Sequence, residues 1–282
     1  MTDVDIFFRL QKIAKHKNWD QNYITDSFFE NAIITLKNLS VQEQELYFYL
    51  LEDYSLYPYI TYESCIIEGM KNFDKQCDEL YVIPSLSKKD MNNPRKSGFF
   101  VERIFSTPHL QQNLKIPNII INKRPPKERS LLSRLISLVT KQGRNNSIKR
   151  HYLFIDDYNG SGKTGYGCIK RYKKKYELSY QDISYFSIIS MEKGIKKIES
   201  LGVNCITYKT LKRGISDRQL SKKEIEKLLF LNKQICDRYH IEDPRGFDKS
   251  ESLVTMMNTP NNTFPIFWDS KMKNPIFPRF NT

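Results

Sequence analysis

Short apolar stretches recur along the chain from residue 79 onward. They are rich in β-branched and aromatic residues and hardly alternate with polar ones: 79–84, 118–122, 152–156, 185–190 and 205–211. Continuous apolar runs of this length are typical of strands buried on both faces of a parallel sheet. Between them lie stretches with the apolar spacing of helices: 97–105, 130–141 and 191–202. Strands that alternate with helices predict an α/β fold, in which helices flank a mainly parallel sheet.

The two ends of the chain have a different pattern. Before the first strand, apolar side chains fall on single helical faces, and Ser40 with Glu43 forms a capping-box pattern at the start of a helix. We therefore expect a helical region over 1–75 and an α/β domain over 76–282. The tail after residue 244 is rich in Pro, Asn and aromatic residues, so we expect it to be irregular.

Net charge is the strongest signal in the composition. The 282 residues include 45 Lys and Arg against 32 Asp and Glu, which gives a formal net charge of +13. This excess favours polyanionic partners such as nucleic acid or phosphorylated small molecules, or else reflects a lysine-rich solvated surface. The five cysteines are scattered and form no CxxC pair, which favours reduced thiols in the cytoplasm. No run approaches about 18 apolar residues, so no membrane span is expected.

A glycine-rich loop follows directly after the predicted strand 152–156. Residues 154–164 read FIDDYNGSGKT, and open α/β sheets bind their ligands at the carboxyl ends of strands. The ending GSGKT resembles the phosphate loop of nucleotide hydrolases, but that loop requires a glycine at the position of Asp157. Two adjacent carboxylates would also repel a triphosphate. An ordinary strand–turn–helix junction is a further interpretation that the pattern allows.

The same stretch contains four apolar residues, Asp-Asp, three residues and then Ser-Gly-x-Thr. It resembles the phosphoribosyl pyrophosphate loop of type I phosphoribosyltransferases, and this implies their Rossmann-like fold. The resemblance implies that Asp156 and Asp157 engage the ribose hydroxyls, while Mg²⁺ is held through the ligand and by either carboxylate that reaches it. It also implies that backbone N–H groups and hydroxyls surround the 5-phosphate. The residues concerned are Asn159, Gly160, Ser161, Gly162, Lys163 and Thr164.

Two other loops carry residues that the resemblance assigns to pyrophosphate. They are Ser85, Lys88 and Lys89 after the first strand, and Lys123, Arg124 and Lys127 after the second. The second set is similar to the basic mobile loop of orotate phosphoribosyltransferases, although two prolines depart from that loop. Cations at these positions would offset the charge of the leaving pyrophosphate. Turns of Ser and Lys are also common on solvated surfaces.

The stretch NTPNNTFPIFW (258–268) is similar to a C-terminal stretch in a group of phosphoribosyltransferase-like proteins from bacterial conflict and phage-defence systems. Some members accompany a retron reverse transcriptase. The resemblance implies a C-terminal hood over about 216–282, whose Asn261, Asn262 and Trp268 cover the base of an acceptor. Pro-Asn-Asn is equally turn chemistry, and the tryptophan is equally a core anchor. The partners implied are phosphoribosyl pyrophosphate or a nucleotide, and nucleic acid or a complex of reverse transcriptase with its DNA.

Three functions stay open at this point. The first is an enzyme that transfers a phosphoribosyl group or cleaves a related N-glycosidic bond. The second is a module that senses a nucleotide or sugar phosphate without turnover. The third is a nucleic-acid-binding partner of a defence complex, which the run KRYKKKY (170–176) favours. A solvated helix face accounts for that run equally well.

Overall fold

The structure is a computed structural model that describes residues 1–19, 26–73, 76–114, 118–121 and 148–279. Its contacts divide the chain into two compact units. Unit 1 combines Met1–Thr61 with Leu211–Thr282, and unit 2 is the continuous stretch Tyr62–Thr210. The tail therefore groups with the N-terminal helices rather than with the sheet. The predicted domain boundary after residue 75 stays a prediction. The division into compact units falls at other positions in the chain.

The helices and strands are numbered in chain order. The helices are α1 (Asp3–His16), α2 (Asp26–Lys37), α3 (Val41–Leu51), α4 (Tyr62–Met70), α5 (Ser97–Phe105), α6 (Pro108–Leu114), α7 (Lys163–Tyr176), α8 (Glu192–Glu199) and α9 (Lys222–Arg238). The strands are β1 (Ser55–Leu56), β2 (Glu79–Pro84), β3 (Ile119–Ile120), β4 (Arg150–Asn159), β5 (Ile183–Met191), β6 (Asn204–Leu211) and β7 (Val254–Thr255). Within the described ranges, no helix combines the length and the apolar character needed to cross a membrane.

A five-stranded sheet forms the centre of unit 2. Its strand order is β3-β2-β4-β5-β6, and the pairings of β2 with β3, β2 with β4 and β4 with β5 are parallel. Each of the five predicted strands overlaps one of these strands, so the predicted mainly parallel sheet is confirmed. The predicted helix over 97–105 coincides with α5, and that over 191–202 contains α8. The predicted helix over 130–141 lies outside the described residues.

Position within the sheet explains why the strand sequences are almost continuously apolar. Every residue of β5 is buried, as are eight of the ten residues of β4, because both strands have neighbours on two sides and packed side chains on both faces. On one face, Cys168 and Ile169 of α7 belong to the same apolar cluster as Phe154 and Tyr185 of the sheet. This packing fixes α7 beside the carboxyl end of β4.

Unit 1 is built from both ends of the chain. Helices α1, α2, α3 and α9 contribute buried apolar side chains to one cluster, together with residues of the tail. The ring of Tyr54 stacks on Phe277 at 4.5 Å between centroids, and Trp19 makes an edge contact with each of these two rings. β1 pairs in parallel with β7 of the tail. The predicted capping box of Ser40 and Glu43 is present at the start of α3.

A buried ion pair connects the parts of the tail. Glu251 is fully buried, and its carboxylate accepts hydrogen bonds from the guanidinium of Arg245 and from the backbone N–H groups of Ile215 and Ser216. The hydroxyl of Ser216 also donates to this carboxylate, at 2.6 Å. A buried carboxylate with all these donors is satisfied, but its loss leaves the partly buried guanidinium of Arg245 and two backbone N–H groups without their acceptor.

We predict that Glu251→Ala lowers the free energy of unfolding of unit 1 by about 3–5 kcal/mol, because it leaves Arg245 without its buried partner. Trp19 and Trp268 are the two tryptophans of the chain, and both lie in unit 1. Their fluorescence in a denaturant titration therefore reports on this unit. The control is Glu45→Ala, which removes an exposed ion pair with Arg9 and should cost less than about 1 kcal/mol. Equal losses in the two variants would contradict the prediction.

Candidate functional site

Two adjacent carboxylates lie at the carboxyl end of β4. Asp156 and Asp157 are 9% and 5% exposed, since the sheet and its flanking helices surround them. The phenol of Tyr62 donates to Asp157 Oδ2 at 3.0 Å, and the hydroxyl of Ser97 donates to Asp156 Oδ1 at 3.4 Å. The backbone N–H of Asp157 also donates to Asp156 Oδ1, at 3.0 Å. Among the described residues, neither carboxylate forms an ion pair with a basic side chain.

Burial makes these carboxylates resist ionisation. The pKa of Asp156 is raised well above its usual range, first by burial and then by the charge of Asp157. Burial also raises the pKa of Asp157, although the hydroxyls of Ser97 and Tyr62 partly offset the effect. Two like charges side by side away from water are costly, so burial and mutual repulsion disfavour ionisation of both carboxyls at once in the free protein. A ligand that offers hydroxyl donors or a cation would favour the ionised state.

The loop after β4 turns sharply into α7. Gly162 occupies the N-cap position in the left-handed region, with φ of 75°, a conformation that suits glycine. It has no side chain to cap the helix, and the first N–H groups of an α-helix lack partners within the helix. Ser161 accepts a long hydrogen bond from the N–H of Lys163, at 3.4 Å, while the side chains of Lys163 and Thr164 are exposed. This helix start can therefore receive an anion through its backbone.

Helix α8 packs very closely against the backbone of this loop. A Cβ added to Gly194 would lie 2.6 Å from the carbonyl oxygen of Asn159 and 2.7 Å from that of Gly160. Only glycine allows this approach. The side chain of Asn159 is buried and donates to the hydroxyl of Ser190 on β5, at 3.4 Å. Asn159 is one of the residues predicted to bind phosphate. In the structure its side-chain amide connects the loop to the sheet.

Tyr62 and Ser97 are functional candidates that sequence reasoning missed. Tyr62 begins α4 and is fully buried, while Ser97 is the first residue of α5. Both reach the carboxylates from helices that lie far from β4 in sequence. For Ser97 the sequence does contain a signal. It is the first residue of a predicted helix, and the loop between the first predicted strand and this helix carries predicted site residues. For Tyr62 the sequence offers no such signal.

The first pyrophosphate loop lies next to this site. Ser85 is buried at the end of β2, and its N–H donates to the carbonyl oxygen of Ile155 at 2.7 Å. Lys88 and Lys89 are exposed in a short helical turn after it. The structure therefore brings Ser85 near the acid pair and leaves the two lysines at the surface. The second predicted set, Lys123, Arg124 and Lys127, lies outside the described residues.

The sequence matches a family model. The model, described as PRTase-CE, represents a phosphoribosyltransferase-like family and matches residues 17–279. The chain belongs to the PRTase-CE family. The match includes most of the N-terminal helical region, whereas the resemblance in the sequence began only at residue 79. The predicted phosphoribosyltransferase-like family and fold are therefore confirmed. A search of curated proteins finds no match.

Two solved structures are similar to this PRTase-CE chain at low identity. Orotate phosphoribosyltransferase from Aeropyrum pernix is 12% identical, with 55% of this chain and 71% of that chain covered and a TM-score of 0.32. A hypothetical protein from Neisseria gonorrhoeae with bound ppGpp is 15% identical, with 62% of this chain and 96% of that chain covered and a TM-score of 0.29.

The predicted hood residues lie in unit 1, where each has a defined environment. Asn262 is buried and donates to the carbonyl oxygen of Phe247 at 3.1 Å and to Ser250 Oγ at 2.8 Å. The indole of Trp268 is half-buried and donates to the carbonyl oxygen of Thr263 at 2.9 Å. Asn261 is exposed. These contacts hold the tail together, and a role of the three residues in acceptor binding stays a prediction.

The donor set at the acid pair suits a cation that arrives with a ligand. In the described part of the chain, no group of three or more His, Cys, Asp or Glu side chains is placed to hold a metal ion. Asp156 and Asp157 supply two carboxylates, and Mg²⁺ takes one or two of these together with phosphate and hydroxyl oxygens of its substrate. The residues present therefore fit Mg²⁺ bound together with a phosphorylated sugar.

We predict that Gly194→Ala lowers the free energy of unfolding by about 1–3 kcal/mol, because the added methyl must displace the backbone of Asn159 and Gly160. Gly167→Ala in α7 is the matched control, since a Cβ there meets nothing within 4 Å. This control should be stabilising by about 0.5–1 kcal/mol through helix propensity. Denaturation followed by far-UV circular dichroism measures both variants. A neutral Gly194→Ala would refute the close packing.

A second prediction concerns stability and pH. The pKa of Asp156 is raised in the folded protein above its unfolded value of about 3.9, so protonation favours folding. The stabilisation is complete below about pH 4 and is lost as the pH rises through the raised pKa. Asp156→Asn should therefore stabilise the ligand-free protein at pH 7 and flatten the pH dependence of its melting temperature.

The control for this variant is a carboxylate whose pKa is lowered in the folded protein, so its removal should change stability in the opposite direction. The guanidinium of Arg213 lowers the pKa of Asp217, so ionised Asp217 favours folding and Asp217→Asn should destabilise the protein at pH 7. Thermal unfolding of both variants between pH 4 and pH 8 makes the comparison. An Asp156→Asn variant that melts below the unsubstituted protein at pH 7 would exclude an unfavourable buried charge.

Proposed function

We propose that this PRTase-CE protein binds a 5-phosphoribosyl compound with Mg²⁺ at residues 156–164 and transfers the phosphoribosyl group, or cleaves a related N-glycosidic bond, on a nucleotide or nucleobase substrate. The observation that carries the proposal is the placement of a buried acid pair immediately before a tight turn into α7, whose N-cap residue Gly162 has no capping side chain. Ribose hydroxyls need acceptors, and a 5-phosphate needs backbone donors, so one sugar phosphate uses both features.

A nucleoside triphosphate would use only one of these features. In a Walker loop, glycine stands where this chain has Asp157, and the lysine reaches the β- and γ-phosphates. Here Asp157 is buried and bonded to Tyr62, and Lys163 is exposed at the first position of α7. Buried carboxylates beside a triphosphate would add repulsion without a compensating donor. These contacts favour a ribose diol over a polyphosphate at this position.

The acid pair would bind the ligand with release of a proton. Because burial raises both pKa values in the free protein, hydrogen bonds from two ribose hydroxyls would lower them again and favour release of a proton. The ionised carboxylates would then stabilise positive charge that develops at the anomeric carbon. Mg²⁺ would supply charge neutralisation of the pyrophosphate leaving group. Tyr62 and Ser97 would keep the two carboxylates oriented toward the sugar.

We further propose that the protein acts in anti-phage defence. The tail stretch 258–268 resembles that of phosphoribosyltransferase-like proteins from phage-defence systems, and this supports a role in anti-phage defence. The alternative within that setting is a regulatory subunit that senses a nucleotide without turnover, or that associates with nucleic acid. The two versions differ in turnover, which an assay of the purified protein measures directly.

We predict that the acid pair matters more for binding than the lysine does. Asp157→Asn removes a charge-assisted acceptor and should weaken phosphoribosyl pyrophosphate binding by about 1.5–3 kcal/mol. Lys163→Ala removes a partly screened charge and should cost about 1 kcal/mol. Isothermal titration calorimetry with phosphoribosyl pyrophosphate and with ATP, in Mg²⁺ and in two buffers of different ionisation enthalpy, measures affinity and proton release together.

Circular dichroism shows first that both variants are folded. Tight ATP binding that is lost in Lys163→Ala and kept in Asp157→Asn would exclude the proposed site. If phosphoribosyl pyrophosphate binds as predicted, mass spectrometry of released pyrophosphate or base distinguishes the enzyme from the sensor. Binding without release after prolonged incubation with nucleotides would favour the sensor.

A further inference from the structure

Helices α7 and α8 present a strongly basic face on unit 2. Helix α7 contains six Lys and Arg and no Asp or Glu over its 14 residues. Helix α8 packs beside it and adds further lysines, while its acids Glu192 and Glu199 are its first and last residues. We call the following residues the basic face: Lys170, Lys173 and Lys174 of α7, Lys193 and Lys197 of α8, and the rings of Tyr166 and Tyr180.

Tyrosine rings lie between the cations of this face. The Tyr166 ring has Lys197 Nζ 4.3 Å and Lys170 Nζ 5.4 Å from its centroid, one from each helix. The Tyr180 ring has Lys173 Nζ at 4.9 Å. Both rings are half-buried, so part of each is open to solvent. Cations and aromatic surface therefore alternate across the two helices and the short turn after α7 that contains Tyr180.

An ordinary solvated helix face has a different charge pattern. Helix α9 of the same chain provides the comparison, because its five Lys and Arg are interspersed with three Asp and Glu. Two of its lysines, Lys222 and Lys233, form i,i+4 ion pairs with acids of the same helix. Helix α7 has no acid of its own for such pairs. Its positive charge is thus uncompensated within the helix and attracts a polyanion.

We propose that the basic face binds single-stranded nucleic acid. Lysine ends would leave the ring faces of Tyr166 and Tyr180 to contact the phosphates, and bases would stack on the exposed parts of these rings. Single-strand-binding grooves use this combination without base-specific hydrogen bonds. A helix of 14 residues is about 21 Å long, which matches about six stacked nucleotides at 3.4 Å each. This binding is separate from the proposed phosphoribosyl chemistry and does not depend on it.

The test uses fluorescence anisotropy of the full chain with a labelled 20-nucleotide oligothymidine between 0.05 and 0.3 M salt. The variant Lys170→Gln/Lys173→Gln/Lys174→Gln keeps the helix propensity of the side chains. It should weaken binding by more than about tenfold at 0.15 M salt and reduce the slope of log K against log salt by about 2, since each phosphate contact contributes about 0.7.

The matched control has the same change in net charge. Lys222→Gln/Lys223→Gln/Lys227→Gln on α9 removes three exposed lysines and should leave the affinity and the slope within about twofold and about 0.3 of the unsubstituted values. A loss in this control equal to that in the α7 variant would mean that only net charge matters and would overturn the proposal. Failure of the unsubstituted protein to bind at 0.05 M salt would also overturn it.

Further probes establish which polyanion the face prefers. An abasic strand of equal length has the same phosphates without bases, and we expect it to bind about tenfold more weakly. Equal affinity for the abasic strand, or tighter binding of a 20-base-pair duplex, would overturn single-strand recognition. Vesicles of phosphatidylserine that displace the oligothymidine at equal charge concentration would instead identify a membrane surface as the partner. In each case the α7 variant shows whether the basic face is responsible.

Discussion

The burial of two neighbouring carboxylates at the end of β4 is the constraint on which the rest of the candidate site depends. β4 lies between β2 and β5, so its last residues are enclosed before the chain reaches the surface. Carboxylates in that position need donors, and Tyr62 and Ser97 supply them from α4 and α5. The orientation of two helices and the protonation of the acids are therefore linked. Among the residues that the structure describes, neither acid has a basic partner that would make its ionisation favourable.

The phosphate side of the site depends on small residues instead. Gly162 permits the turn into α7, and Gly194 permits α8 to touch the backbone of the loop. Because α8 packs against the backbone of the loop, the N–H groups of the loop keep one arrangement before any anion binds. Such preorganisation reduces the entropy that ligand binding must remove. The site thus combines rigid backbone N–H donors with two carboxyl groups whose ionisation is unfavourable. This combination suits a ligand with one phosphate and two hydroxyls.

Local patterns account for what could be predicted from the sequence. The apolar runs at 79–84 and 152–156 identify buried strands. The Asp-Asp pair at the end of the second run and the glycine-rich residues after it identify the candidate ligand-binding loop. Tyr62 and Ser97 could not be predicted in their roles, because their contacts with the acids join residues 95 and 59 positions apart. Asn262 and Trp268 show the reverse difficulty, since a pattern typical of turns does not distinguish internal hydrogen bonds from contacts with a ligand.

The two-part composition of unit 1 has a consequence for biosynthesis. Ser55 pairs with Val254, so the N-terminal helices cannot complete their core until the ribosome has made the tail. Unit 2 is a continuous stretch and emerges complete before that. At about 5–20 residues per second, synthesis of the final segment alone takes roughly 4–14 s. During this interval the apolar faces of α1, α2 and α3 are not yet covered, which leaves the nascent N-terminal region prone to aggregation.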